Sequence, residues 1–313
     1  VDEVPPSGPD EEALAGIIAG LLGRDRVSVT ESFFALGGDS IMSIQLASAA
    51  RAAGIELSPR EIFEHRTVRE MVRAAHAERV RVPDVAEPPA GDAVPLPPIV
   101  GWMIDHSTDP HDVADFHQSM VLTAPSDLTD GQLAELLTEI AAAHPSLTAT
   151  LVPGPAGWRL DHTGVFDARA AVSTVTVDAP AQSPMFTAAI ETAHATAVAD
   201  LDPTAGRIVR AVIVAASDQT ARLLLVVHHV AVDAVSWRIL IEDLITIWSA
   251  EPGSDGAVGH HARPRPEGTS TRAWTAALAA EPRDDQLDYW KERVAAPSRL
   301  VDQVPVDPIR LRD

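Results

Sequence analysis

The sequence predicts two domains of different fold class: a small all-α helical bundle over residues 10–78 and an α/β layered domain over residues 94–313. Apolar residues recur with helical spacing in the first region, whereas apolar strands alternate with amphipathic helices in the second. Prolines interrupt residues 79–93, which is typical of a semi-extended linker. Residues 1–9, with three prolines, are predicted to form a loose N-terminal linker.

The helical domain is predicted from spacing and from helix end signals. The first helix follows the i, i+3, i+4 pattern at Leu14, Ile17, Ile18, Leu21 and Leu22. A second helix is expected from Ile41 to Ala53, with Gly54 as its C-terminal stop. Thr67 and Glu70 form a capping box for a further helix.

The second domain should mix strands and helices. Strands are predicted at Phe116–Leu122, Ile208–Val214 and Leu223–Val227, the last of them fully buried. Thr129 and Gln132 form a capping box that begins a helix, and apolar spacing from Val235 onward indicates another.

Composition limits the possible partners and location. Lys plus Arg is 24 against 45 for Asp plus Glu, so the net charge is −21, which argues against nucleic acid or an anionic membrane as a partner. There is no cysteine, and no apolar run approaches the roughly 20 residues that span a bilayer. With no visible signal peptide and Val1 at its start, the chain is expected to be a cytoplasmic segment of a longer protein.

The first candidate site is the serine of Gly37-Gly38-Asp39-Ser40, which lies between a glycine loop and a predicted helix. Backbone N–H groups and the helix dipole at such a position favour a phosphodiester on the serine, and Asp39 adds a charge that a modifying enzyme could recognise. From these residues alone a second interpretation stays open, in which the segment is a turn and Ser40 is only an N-cap.

The second candidate site is the segment HHVAVDAVSW, which starts at His228. A histidine at a strand end can move a proton near neutral pH. Because neighbouring strand residues point to opposite faces, only one of His228 and His229 should face a given cleft. Asp233 could be buried only if it is paired, and a paired Asp233 would brace the loop that aims the histidine. The candidate partners are Arg210, Arg222 and Arg238.

The histidine segment has two other interpretations. The histidines could be structural, with Asp233 facing solvent. A shared metal site is disfavoured because His228 and His229 are adjacent rather than three or four residues apart on a helix, so no metal ligand is predicted.

The segment LGGDS, preceded by Phe33-Phe34 and followed by Ile41-Met42-Ser43-Ile44-Gln45-Leu46, closely resembles the peptidyl carrier domain of nonribosomal peptide synthetases over about residues 10–78. The resemblance implies that Ser40 carries a covalent 4′-phosphopantetheine, which a phosphopantetheinyl transferase attaches. The Gly-Gly-Asp-Ser form also resembles carriers that precede epimerization domains.

The segment HHVAVDAVSWRIL resembles the core motif of the condensation and epimerization superfamily over about residues 94–313, which implies a fold similar to chloramphenicol acetyltransferase. The ending Val235-Ser236-Trp237 resembles the epimerization branch, since condensation domains usually place the tryptophan before the serine. Phe116-His117-Gln118-Ser119 resembles the first strand of that domain.

The resemblance implies an epimerase that inverts the α-carbon of a carrier-bound aminoacyl or peptidyl thioester in nonribosomal peptide synthesis, as in antibiotic biosynthesis. His229 matches the histidine that serves as acid or base, with His228 a weaker candidate and Asp233 a structural support. The implied partners are an upstream adenylation domain and a downstream condensation domain.

The chain departs from the family pattern in three ways. Only the first of two similar halves is matched, so the C-terminal lobe and its catalytic glutamate are expected to be absent and this chain alone should epimerize poorly. Ala234 stands where glycine is usual, which could strain a turn that needs positive φ. Thr148 replaces a common arginine. Two other functions stay open: a condensation domain that forms a peptide bond, and a non-catalytic docking platform for the carrier.

Overall fold

A computed structural model describes residues 4–76, 85–89, 91–107, 113–155, 157–249, 269–281 and 284–295. The chain divides into two compact units, Val1–Pro83 and Asp84–Asp313. The division falls inside the segment predicted to be a linker, of which residues 79–84 and 90 lie outside the described residues.

The described part of the first unit is a bundle of four helices. They are α1 (Pro9–Leu22), α2 (Ser40–Ala52), α3 (Pro59–His65) and α4 (Val68–His76). The apolar stripes of these helices and the loop before α2 meet in one core, whose largest fully buried members are Phe33, Leu14, Ile18, Leu46, Leu57, Ile62 and Met71. The predicted all-α fold of this unit is confirmed.

Local signals fix the ends of these helices. Gly54, with φ 82°, follows α2 as predicted. Ser58 and Glu61 form a capping box at α3, and the Glu70 N–H donates to Thr67 Oγ1 at 3.3 Å at α4. A partly buried ion pair between Arg69 and Glu11, with 3.1 Å between Nε and Oε1, joins α4 to α1.

The segment before residue 10, predicted to be a loose linker, is hydrogen-bonded to the rest of the first unit at Val4. The Val4 N–H donates to Ser28 Oγ, and the Val29 N–H donates to the Val4 carbonyl, each at 3.1 Å. Helix α1 begins at Pro9, since proline is well suited to the first helical position, where no N–H is needed.

The second unit contains a four-stranded sheet in the order β2-β7-β6-β5. Its strands are β2 (His117–Ala124), β5 (Val172–Val177), β6 (Val209–Ala216) and β7 (Ala221–His228). Strand β7 is antiparallel to both β2 and β6, whereas β5 is parallel to β6 and reaches it through the crossover helix α8 (Pro184–Ala199). A smaller antiparallel sheet, in the order β1-β4-β3, contains β1 (Val94–Pro95), β3 (Thr150–Gly154) and β4 (Gly157–Asp161).

Helices cover both faces of the larger sheet. The remaining helices are α5 (Pro98–Asp105), α6 (Asp130–Ala143), α7 (Ala168–Ala171), α9 (Ala234–Ser249), α10 (Thr271–Ala280) and α11 (Leu287–Ala295). Leu223, Leu225 and Val227 of β7 pack in one cluster with α6 and α9, whereas Leu224 and Val226 pack in another with α8. This alternation explains why β7 is a continuous apolar run, because both of its faces are buried.

The layered α/β class predicted for this unit is confirmed. The three predicted strands are present, with ends shifted by one or two residues. Strand β5 and helix α8 were not predicted. Strand β5 is a short strand at the sheet edge in which Thr174 and Thr176 are exposed, and the alanine-rich helix α8 has little apolar contrast between its faces. Among the described residues no helix is long and apolar enough to cross a membrane, and no cluster of three metal-ligating side chains occurs.

Candidate functional site

The serine of the first unit stands at the start of α2 with its side chain exposed. Ser40 is the first helical residue, and Asp39 is the N-cap, so the interpretation of Ser40 as a capping residue is wrong. The Asp39 carboxylate accepts from the backbone N–H groups of Ile41 at 2.9 Å and Met42 at 2.7 Å. Asp39 thus occupies the donors that were expected to favour a phosphodiester, and the Ser40 hydroxyl makes no hydrogen bond to the described residues.

The loop before Ser40 is held by the core. A Cβ at Gly38 would lie 2.5 Å from ring carbons of Phe33, which is fully buried. Glycine is therefore needed at position 38 for close approach of the backbone to the ring.

We expect Gly38→Ala to destabilise the region around α2 by about 1–3 kcal/mol, because either the Phe33 ring or the loop must shift. Hydrogen exchange of the α2 amides measures this loss. Gly16→Ala is the matched control, since a Cβ there meets nothing within 4 Å and the residue lies inside α1. The control should be stabilised by up to ~1 kcal/mol. Equal effects of the two changes would contradict the packing argument.

In the second unit, the two adjacent histidines have different environments, as strand geometry predicted. His228 ends β7 and is 1% exposed. Its Nε2 donates to the Val113 carbonyl at 2.8 Å, and its Nδ1 accepts from the Val230 N–H at 3.1 Å. Both ring nitrogens are thus used by a neutral imidazole. Burial lowers the pKa of His228 below its ordinary value, so this residue is a structural histidine and the prediction of a catalytic role is not supported by its geometry.

This burial predicts a pH dependence of stability. A histidine whose folded-state pKa is depressed contributes stability that is present above the unfolded value of 6.5 and is lost as the pH falls through the folded value. We therefore expect the free energy of unfolding of the second unit to fall below about pH 6.5, and His228→Gln to weaken that dependence. All six tryptophans follow residue 100, so tryptophan fluorescence during denaturation reports on this unit. His106→Gln, at an exposed histidine just after α5, is the control and should leave the slope unchanged.

His229 is half-buried just beyond the end of β7. Its backbone N–H donates to the Phe116 carbonyl at 2.8 Å, and its ring stacks on the Phe116 ring at 4.8 Å between centroids and 10° between planes. Its Nε2 lies 3.2 Å from Gln118 Nε2. Gln118 Oε1 in turn accepts from the indole N–H of Trp237 at 2.8 Å. Phe116 and Gln118 thus contact the His229 ring, and Trp237 of α9 is joined to that ring through Gln118.

Asp233 lies at the start of α9, where it caps the helix. Its Oδ1 accepts from the Val235 N–H at 3.0 Å, the Ser236 N–H at 2.8 Å and the Ser236 hydroxyl at 2.8 Å. Nearby protein atoms partly desolvate the Asp233 carboxylate and act to raise its pKa, but the hydrogen bonds from Ser236 and Val235 and the nearby His229 lower it overall. Of the two alternatives that the sequence left open for Asp233, the structure has the solvent-facing one: the side chain is exposed and is satisfied by backbone and serine donors, while Arg210 pairs with Asp200 at 3.1 Å.

The two substitutions expected to disturb the site are accommodated. Ala234 is the first residue of α9, and it is not among the described non-glycine residues with positive φ, so the expected strain is absent. The Thr148 hydroxyl donates to the carbonyls of Pro145 at 2.8 Å and His162 at 3.4 Å, so the loop around it keeps a polar brace.

Sequence reasoning missed the roles of Gln118 and Trp237. The available signal was a glutamine inside an apolar strand pattern, since such a side chain needs a polar partner when it is partly buried. A cavity of about 380 Å³ lies elsewhere, between α8 and strands β5 and β6, and His229 is not among its lining residues.

These features define a class of protein: a helical carrier that presents a serine hydroxyl at a helix start, followed in the same chain by an α/β domain with a half-buried histidine at a strand end. A sequence model described as "Phosphopantetheine attachment site" matches residues 12–75, and one described as "Condensation domain" matches residues 99–313. The chain belongs to the condensation-domain family, preceded by a phosphopantetheine attachment domain.

The curated relatives include very long proteins. Chondramide synthase cmdD of Chondromyces crocatus is 30% identical over 98% of this chain, and a component of the linear gramicidin synthase of Brevibacillus parabrevis is 32% identical over 90% of it. The chain spans only 8% and 5% of those two proteins, respectively.

Solved structures share the fold. The epimerization domain from the third module of tyrocidine synthetase B has a TM-score of 0.55 at 20% identity, and the alignment covers 71% of this chain and 48% of that one. The EpoB cyclization-docking bidomain from Sorangium cellulosum has a TM-score of 0.54 at 20% identity, covering 82% of this chain and 50% of that one. Two neighbours with different names fit about equally well, so the likeness establishes the condensation-type fold alone.

The cofactor of the first unit is covalently attached 4′-phosphopantetheine. The residues present fit this group, because the loop held by Phe33 presents an exposed serine hydroxyl that no described residue binds. When attached, phosphopantetheine supplies a thiol that holds an acyl group as a thioester.

Proposed function

We propose that this chain works in nonribosomal peptide synthesis, where the carrier unit holds an aminoacyl or peptidyl thioester through phosphopantetheine on Ser40 and the condensation-family unit inverts its α-carbon. The curated relatives that are synthases support the first part. We further propose that a phosphopantetheinyl transferase modifies Ser40, that an adenylation domain loads the carrier, and that a downstream condensation domain receives the product.

The observation that carries the choice of epimerization is the placement of Trp237. Its indole N–H donates to Gln118, and the amide nitrogen of Gln118 lies next to His229 Nε2. This chain of contacts depends on tryptophan being at position 237, directly after Ser236. Successive helical residues are rotated by about 100° around the axis. A tryptophan at position 236 would therefore point away from Gln118. The Ser-Trp order that resembles the epimerization branch is thus the order that connects α9 to the histidine.

Inversion at the α-carbon needs one proton removed and one returned. The thioester carbonyl acidifies the α-hydrogen, so that a base takes the proton while the electron pair moves toward the carbonyl oxygen as an enolate. An acid then delivers a proton to the opposite face, and no atom is gained or lost. His229 serves as one of these two groups, since its ring is half-buried and its orientation is fixed by Phe116 and Gln118.

We propose that the second group is the family glutamate from the other half of the domain, because the alignment covers 48% of the epimerization domain. Asp233 is too well satisfied as a helix cap to serve this role. Its role is to cap the start of α9, and this cap keeps Trp237 of the same helix in position.

Condensation is the second candidate, because the matching sequence model is named for that activity. One experiment separates the two. The loaded protein, produced with the second half of the domain, is given an acceptor amino acid on a separate carrier, and the products are released and resolved by chiral chromatography. A D/L mixture without amide formation supports epimerization. Amide formation with retained configuration overturns it in favour of condensation.

A further inference from the structure

The side chain of Gln118 connects the histidine site to the buried indole of α9. It lies on β2 opposite Val227 of β7, on the sheet face that α6 and α9 cover. Its oxygen and its nitrogen each have one partner, Trp237 and His229. A carboxamide held at both ends can transmit an orientation from one partner to the other.

Trp237 fixes which way the amide points. An indole N–H is a donor only, so the group of Gln118 at 2.8 Å from it must be the carbonyl oxygen. Trp237 is 5% exposed within the main core, so its ring cannot turn away without repacking that core. The amide nitrogen of Gln118 is therefore directed at His229.

An amide nitrogen is also a donor only. His229 Nε2, at 3.2 Å from it, must accept that hydrogen bond and so carries a lone pair in the neutral ring. The proton of neutral imidazole then resides on Nδ1. The ring stack with Phe116 and the bond from the His229 N–H to the Phe116 carbonyl restrict rotation of the imidazole, so the two nitrogens do not exchange places easily.

We propose that Gln118 is a positioning residue that holds neutral His229 as the Nδ1–H tautomer, so that Nε2 can accept a proton from the substrate once the substrate displaces the Gln118 amide from its lone pair. The use of that nitrogen in catalysis rests on the proposed function, whereas the tautomer itself does not. Gln118 acts through His229, and Trp237 acts through Gln118.

The test is ¹⁵N NMR of the full 313-residue chain labelled at its histidine rings, with the His229 signals identified by their loss in His229→Gln. The pattern of ring nitrogen shifts distinguishes a protonated from an unprotonated nitrogen. We expect the wild type at alkaline pH to show Nδ1 protonated. In Gln118→Glu the carboxylate can only accept, so the proton should move to Nε2. In Trp237→Phe the amide is free to rotate, and a mixture of tautomers is expected.

The matched control is Gln286→Leu, which removes another glutamine that accepts from a tryptophan, here Trp290 on α11 at 3.5 Å. It should leave the His229 signals unchanged. A wild-type ring with its proton on Nε2, or a tautomer unaffected by Gln118→Glu, would overturn the proposal. Because the wild-type spectrum alone decides the first point, misfolding of a variant does not remove the test.

A kinetic measurement separates this inference from the proposed function. In the protein that carries both halves of the domain, Gln118→Leu should lower kcat for inversion roughly tenfold with little change in KM, since the hydrogen bond that sets the tautomer and orientation of His229 is lost. The expected tautomer together with no inversion by the wild type would retain the positioning role and reject the epimerase. Inversion by the wild type together with a proton on Nε2 would retain the epimerase and reject the positioning role of Gln118.

Discussion

Replacement of His229 by alanine is expected to lower the rate of α-carbon inversion by about 10²–10⁴-fold in the protein that carries both halves of the domain, because a positioned acid or base typically contributes that factor. His229 is the half-buried ring of the motif, whereas His228 has both nitrogens bound in the core. Chiral analysis of the released product over time measures the effect.

The control for this change is His106→Ala, which removes an exposed histidine of the same unit just after α5 and should keep full turnover. Circular dichroism of both variants checks that the fold is intact. If His229→Ala inverts the substrate as fast as the wild type, catalysis by His229 is rejected, and the non-catalytic docking platform becomes the better account of the second unit.

The second large effect is expected at the carrier. Ser40→Ala should abolish the attachment of phosphopantetheine completely, because no other hydroxyl can replace the nucleophilic oxygen at the start of α2. Intact-protein mass spectrometry after incubation with a phosphopantetheinyl transferase and coenzyme A gives the readout. The added mass should be present in the wild type and absent in the variant.

Ser48→Ala is the matched control for that experiment, since Ser48 is an exposed serine on the same helix. It should be modified as fully as the wild type. Modification that persists in Ser40→Ala would show that the attachment residue lies elsewhere, even though the family of the first unit is established.

Local signals in the sequence were sufficient for much of the fold. Helical spacing and the capping box at Thr129 and Gln132 predicted α6, and the apolar run Leu223–Val227 predicted the central strand β7. The edge strand β5 was not predicted, because its alternation of polar and apolar residues from Thr174 to Val177 is only four residues long, and among the described strands it pairs with β6 alone. Burial in these cases depends on neighbours that are distant in the chain.

The site was predicted less completely, for the same physical reason. His229 and Asp233 could be singled out, but the sequence left open whether Asp233 pairs with an arginine or faces solvent. Backbone donors at the start of α9 satisfy the carboxylate. The contact between Gln118 and Trp237 joins residues 119 positions apart. Only the register of β2 on β7 and the docking of α9 bring them together, and neither follows from local pattern.

The most direct test of the account is α-hydrogen exchange in deuterated water on an aminoacyl group tethered to Ser40, measured by mass spectrometry with chiral analysis of the released acid. The protein with both halves of the domain is run beside its His229→Ala variant. We expect deuterium and a D/L mixture from the first and neither from the second. Retention of the α-hydrogen in both would contradict the proposal that this chain takes part in epimerization.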